Sequence, residues 1–312
     1  MGGGNLIGNG RVRRRTPRRT WVLGGGGARG AAQVGAIQAL FEAGIEPPAR
    51  LIGVSVGSLN AAILAAFPSP AGAAMLRALW RARTAREVFR AHPLAFLLGR
   101  IRRQLSALPA SNVTRLIERD TYLAGVERFE DLEVPLSVVA TDVTAGRRHV
   151  FEHGPLQPAL QASCAIPGVF PAVEIDGHQY VDGGVVDNLP LTLAVEQGSR
   201  EVLAISLMGV DELEQPPRSW GELMSRIMQL TLHHRMLSDF ELVRRRARVV
   251  VLAPLLGMED GLDMRPDRIE DVIRRSREAT RRLLQRLGRR IFRESGIHYL
   301  PLELGESAPA AS

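Results

Sequence analysis

Residues 20–67 read TWVLGGGGARGAAQVGAIQALFEAGIEPPARLIGVSVGSLNAAILAAF. A short apolar run, TWVL, stops at four glycines. The next stretch sets Val34, Ile37, Leu40 and Phe41 on one helical face and closes at Gly44, a residue suited to the left-handed position after a helix C-terminus. LIGVS is again strand-like and VGSLNAAILAAF again helical. Strand, helix, strand, helix is a βαβ unit, whose right-handed crossover makes the two strands parallel. An α/β fold is therefore predicted.

The pattern continues outward. AGAAMLRALWRARTA and SNVTRLIERDTYL are helical, and the apolar and basic mixture at residues 89–109 reads as a packed insertion, with a lid as the alternative. VPLSVVATDV is a buried strand, and RRHVF is its antiparallel partner. Asp176-Gly177 is a two-residue hairpin signal between short apolar segments. NLPLTLAVEQG is a helix, EVLAISL and RVVVLAP are two more buried strands, and residues 220–243 between them form a long amphipathic helix. In DRIEDVIRRSREATRRLLQRLGRRIF, the positions Ile269, Val272, Ile273, Leu283, Leu284, Leu287 and Ile291 make one stripe. Packing of that stripe against the core is expected, with a membrane-surface helix as the alternative. There is no internal repeat and no splitting linker. One domain over residues 20–300 is expected, between a basic disordered tail (1–19) and a C-terminal tail (301–312).

Composition excludes several classes. The chain has 312 residues, 45% hydrophobic and 23% charged, which is ordinary for a globular protein. All 40 basic residues are arginine, so P-loop, pyridoxal and lysine-aldolase chemistry have no amine to work with. The net charge of +7 resides mostly in Arg11, Arg13, Arg14, Arg15, Arg18 and Arg19, which leaves the folded part nearly neutral. Nucleic acid is therefore not an expected partner; a basic arm touching anionic lipid is compatible with the tail. Cys164 is the single cysteine, so no intrachain disulfide forms and a reducing, cytoplasmic location is expected. No apolar leader and no run of 18 apolar residues occurs, so neither a signal peptide nor a membrane span is expected.

The glycines admit two chemistries. Gly25-x-Gly27-x-x-Gly30 after a strand resembles a dinucleotide fingerprint, but that fingerprint needs an acidic residue ending the second strand, and Glu46 precedes the strand instead. The other use is to bare backbone N–H groups at a helix start, as an oxyanion hole requires. Gly53-Val54-Ser55-Val56-Gly57 is a G-x-S-x-G pentapeptide on a strand-to-helix turn, the arrangement that lifts a serine nucleophile clear of a sheet. Both elements close parallel strands of one βαβ unit, so they share the carboxyl edge where such folds bind ligands. A base is harder to place. His233 and His234 fall inside a helix and His298 near the chain end, so all three read as surface or packing residues. Asp182, closing a strand before Gly183-Gly184, is either a turn residue or the base, and Asp142 in ATDVTAG is a further candidate.

Taken in order, Gly25-Gly26-Gly27-Ala28-Arg29-Gly30, Gly53-Val54-Ser55-Val56-Gly57 and Asp182-Gly183-Gly184 resemble the three signatures of patatin-like phospholipases, and SCAIPGVFPAV and YVDGGVVDNLP fit that family's bacterial members. The resemblance covers residues 21–207. It implies a three-layer α/β sandwich with a mainly parallel sheet, and a Ser-Asp dyad without histidine. Ser55 would be the nucleophile, Asp182 the general base, and the loop Gly25 to Gly30, through the amides around Gly26, Gly27 and Ala28, the oxyanion hole. Arg29 would brace that loop. The implied activity is hydrolysis of fatty-acyl esters, of the phospholipase A, lysophospholipase or carboxylesterase type, with a catalytically weak lipid-binding or regulatory module as the alternative. The implied partners are a lipid or fatty-acyl ester and, peripherally, a membrane surface; no cofactor or metal is called for. An ordinary aspartate pKa of about 3.9 makes a poor base, so a desolvated Asp182 is expected.

Overall fold

The computed structural model describes residues 19–81, 126–210, 216–256 and 265–302. The basic tail up to residue 18, the stretch 89–109, the helix expected over 111–123 and the end from residue 303 lie outside the described residues.

In chain order the elements are β1 (Thr20–Leu23), α1 (Gly30–Glu42), β2 (Arg50–Val54), α2 (Val56–Ala66), α3 (Pro70–Arg81), β3 (Leu136–Asp142), β4 (Arg147–Phe151), α4 (Leu156–Ser163), β5 (Val173–Ile175), β6 (His178–Asp182), α5 (Leu191–Glu196), β7 (Glu201–Ile205), α6 (Trp220–Val243), β8 (Arg248–Leu255), α7 (Pro266–Leu287) and β9 (Gly296–Pro301). The sheet runs β5-β6-β3-β2-β1-β7-β8-β9, with β4 also paired to β3. From β3 to β9 every neighbour along this path is parallel, and the β3–β4, β3–β6 and β5–β6 pairs are antiparallel. A parallel sheet buried on both faces needs apolar residues at every position rather than at alternate ones. β1 meets that need: Trp21 and Leu23 enter one core cluster and Val22 the other, all fully buried.

Helices α1, α2, α3 and α7 cover the first face and α5 and α6 the second, giving the three-layer sandwich. The stripe on α7 packs inward as expected. Ile269, Val272, Ile273, Leu283 and Leu284 are buried, as is Ile291 just beyond the helix, and Leu287 packs against them. Close approach of α7 to α1 depends on Gly35, where a Cβ would collide with the Ile273 carbonyl, and is sealed by Ser276 Oγ donating to the Ala32 carbonyl at 2.7 Å. Strand β1 sits where the path turns, with β2 on one side and β7 on the other. The crevice at the carboxyl ends of these strands is where open α/β sheets place ligands.

Candidate active site

Leu23 of β1 stands in register with Gly53 of β2, so the glycine loop after β1 and Ser55 after β2 emerge side by side. Ser55 caps the N-terminus of α2 at φ +52°, ψ −130°, a left-handed conformation that a non-glycine residue holds at a cost of about 1–3 kcal/mol. Its neighbours remove the obstacles to that turn. A Cβ at Gly57 would strike the Leu23 carbonyl, and one at Gly53 would lie 2.5 Å from Ser58 Cα. The surroundings also hold the turn in place: the Ser55 amide donates to Ser163 Oγ at 2.9 Å, Ser163 donates to the Val139 carbonyl at 2.7 Å, and Ser58 Oγ donates to the Ser55 carbonyl at 2.6 Å.

Asp182 ends β6, opposite Ala140 of β3. Its amide donates to the Ala165 carbonyl at 2.9 Å, and its carbonyl accepts from Thr141 Oγ1 at 2.9 Å, which fixes the backbone on both sides. Gly183 follows because a Cβ there would collide with the Val139 carbonyl of the adjoining strand. The carboxylate accepts the Gly184 amide at 2.8 Å. Burial pushes this carboxyl up to about 6, against the opposing hydrogen bonds from the Ser55 side chain and the Gly184 amide. Sequence positions 55 and 182 are thus brought together, with Asp182 desolvated as expected.

Loop residues Gly24 and Gly25 are pinned by their amides, which donate to the Ile205 and Asn188 carbonyls, and Arg29 N–H donates to the Gly26 carbonyl. Among the described residues no acceptor takes the amides of Gly26, Gly27 or Ala28. Gly27 adopts φ +57°, and Gly26 lies so close to Leu207 that a Cβ would sit 2.6 Å from that side chain. At Gly30 a Cβ would meet Trp80 and Val56, both at 2.6 Å, so α1 starts flush against α2 and α3. Arg29 is buried, with Nη1 3.9 Å from Met208 Sδ on the segment after β7.

Several residues that hold this site lie outside the three signatures. Asn188 donates from Nδ2 to the Gly25 carbonyl at 3.2 Å, and its Oδ1 occupies the space that a Cβ on Gly25 or Gly184 would need, at 2.5 and 2.7 Å. One amide side chain therefore ties the glycine loop to the turn after Asp182. Beneath the loop, Gln33 donates to the Gly24 carbonyl at 2.8 Å, Asn60 donates to Gln33 at 2.8 Å, and Trp80 donates to Asn60 at 3.0 Å. Polar Gln33 and Asn60 inside otherwise apolar helices were the available signal for this network.

The other candidates lie elsewhere. Asp142 is held at the β3–β4 turn by the Ala145 amide and His178 Nδ1, both at 2.8 Å. His233 binds the Met208 carbonyl at 3.0 Å and Tyr299 at 3.3 Å; His298 lies on β9, and among the described residues no histidine bonds to Ser55. Glu46 precedes β2 at the amino edge of the sheet, opposite the glycine loop, so it cannot serve a ribose beside that loop. Among the described residues no three His, Cys, Asp or Glu gather as metal ligands, and no helix is long and apolar enough to cross a membrane.

A family model described as patatin-like phospholipase matches residues 21–195. An uncharacterized NTE family protein of Mycobacterium tuberculosis is 32% identical over 220 residues, covering 69% of this chain and 57% of that protein. Lysophospholipase NTE1 of Mycosarcoma maydis is 33% identical over 206 residues, 65% of this chain and 10% of that protein. The chain thus spans little more than half of the first relative and a tenth of the second. Among solved structures, VipD from Legionella pneumophila aligns with 91% of this chain and 72% of its own, at 16% identity and a TM-score of 0.48.

Proposed function

The chain belongs to the patatin-like phospholipase family, and from that premise we propose that it hydrolyses fatty-acyl esters of lipids through an acyl-serine intermediate on Ser55, with Asp182 as the base. The observation that carries the reading is the pairing of a strained, motif-borne serine with a buried carboxyl whose pKa is pushed up to about 6. A base poised near the working pH transfers protons far better than an ordinary aspartate.

In the first half-reaction Asp182 takes the Ser55 hydroxyl proton as Oγ bonds to the ester carbonyl carbon. Negative charge then develops on the former carbonyl oxygen, where the amides of Gly26, Gly27 and Ala28 are the candidate donors, each worth roughly 3 kcal/mol of barrier. Collapse breaks the ester C–O bond, and the alcohol leaves with the proton from Asp182. In the second half, Asp182 takes a proton from water, the resulting hydroxide attacks the acyl-serine, and Ser55 Oγ leaves with that proton as the fatty acid is released.

A short-chain p-nitrophenyl ester assay of wild type, Ser55→Ala and Asp182→Asn tests this, with fluorophosphonate labelling of Ser55 as the direct readout. Both variants are expected to lose turnover by at least about a thousandfold. Equal rates in all three proteins would instead favour the lipid-binding module.

A further inference from the structure

Helix α6 is apolar on the side that faces away from the protein. Over its first two and a half turns Trp220, Leu223, Met224, Ile227 and Met228 recur at the i, i+3, i+4, i+7, i+8 spacing of a single face and are between 36% and 78% exposed. The opposite face carries Gln229, His233, Met236 and Phe240 and is buried. The polar members of that inner face bind the segment leaving β7: Gln229 donates to the Gly209 carbonyl at 2.8 Å, and His233 Nδ1 lies 3.0 Å from the Met208 carbonyl. That segment runs past the carboxyl end of the sheet beside the glycine loop, with Leu207 against Gly26 and Met208 against Arg29. From Gln229 back to Trp220 the helix extends roughly 13 Å further. The stripe therefore stands out beyond the same edge that bears Ser55.

We propose that this stripe on α6 seats the protein on a zwitterionic phospholipid surface, with the carboxyl edge of the sheet turned toward the lipid. The choice of lipid as occupant rests on the functional reading above. Charge and area support it. Among the described residues around the stripe, 216–235, Arg218, Arg226 and Arg235 outnumber Glu222 by two. Three scattered arginines suit headgroups that carry a phosphate beside an ammonium, and fall short of the cluster of about four to eight cations that anionic lipid selects. The five side chains expose on the order of 500 Å², large for a monomer's apolar patch yet short of the roughly 800 Å² per partner of a stable protein–protein interface. An insertion of about 5–10 Å, with tryptophan at the interface level, accommodates such a stripe.

The chain reports on this directly. Of its three tryptophans, Trp21 and Trp80 are 0% and 4% exposed, whereas Trp220 is 78% exposed. With the full chain and phosphatidylcholine vesicles, Trp220 emission should shift to the blue as lipid is added and be quenched by brominated phosphatidylcholine. Ile227→Asp/Met228→Asp should need at least about ten times more lipid while hydrolysing a soluble short-chain ester at the wild-type rate. Ser55→Ala should bind vesicles like the wild type. The wild-type measurement stands on its own if the double variant folds poorly. Absence of a lipid-dependent shift overturns the proposal. So does a blue shift that follows protein concentration instead, which marks a second copy, or a Trp220 already shielded from acrylamide without lipid, which marks another segment of the chain. Lipid-dependent quenching in a protein that hydrolyses no ester supports the docking face and sinks the hydrolase reading.

Discussion

Replacing Asp182 with asparagine should stabilise the fold at neutral and alkaline pH. Burial raises the carboxyl from 3.8 to about 6. Below about pH 4 both the folded and unfolded chains hold the proton, and this group contributes nothing. Between pH 4 and 6 the folded state keeps a proton that the unfolded state has lost, so stability falls as pH rises; above 6 the folded protein bears the full cost of a buried charge. A shift of about two units at about 1.4 kcal/mol each makes that cost on the order of 3 kcal/mol. Asparagine is neutral throughout and keeps an oxygen for the Gly184 amide, now bonded at 2.8 Å. Urea denaturation followed by tryptophan fluorescence should give Asp182→Asn and wild type nearly equal stability near pH 3.5 and a gap approaching 3 kcal/mol in favour of the variant at pH 8. The same titration should appear in the wild-type kcat/KM for a soluble ester, which should fall as pH drops through about 6. Parallel stability curves, or a variant weaker than wild type at pH 8, would refute the desolvation argument, and a rate flat down to about pH 4 would remove Asp182 as the base.

Three further substitutions probe the supports of the site. Ser163→Ala removes the acceptor of the Ser55 amide; it should cost about 1–3 kcal/mol in urea and slow fluorophosphonate labelling, and unchanged labelling would show that this bond does not hold the turn. Gly25→Ala places a Cβ 2.5 Å from Asn188 Oδ1 and 3.1 Å from Ser55 Cβ. Its kcat should drop by about a hundredfold with the circular dichroism unchanged, and near-normal kcat would contradict tight placement of the loop. Arg148→Met strips the partner from Asp187, whose side chain is 2% exposed and bonded at 2.7 Å. A loss of about 3–5 kcal/mol is expected, largely restored by adding Asp187→Asn, and a double variant no better than the single would argue against an uncompensated charge.

The βαβ unit, the parallel strands and the positions of Gly25 to Gly30 and Ser55 are legible because each is a local pattern of spacing, apolar period and turn residue, whereas Asp182 reads locally as a turn residue or a base and is singled out by the family resemblance. Period identified the α7 stripe and left its partner open; close approach at Gly35, a long-range contact, directs it into the core. The same limit applies at the site. Asn188 and Ser163 fall in stretches that resemble the family, YVDGGVVDNLP and SCAIPGVFPAV, yet nothing local in them marks Asn188 as the clamp between two glycine turns or Ser163 as the acceptor of the Ser55 amide. Local sequence determined which residues stand at the carboxyl edge of the sheet. Tertiary structure decided the 127-residue encounter of Ser55 with Asp182, the desolvation that raises the carboxyl, and the outward apolar face of α6, because burial, and with it pKa and exposure, is a property of the neighbours that the completed fold supplies.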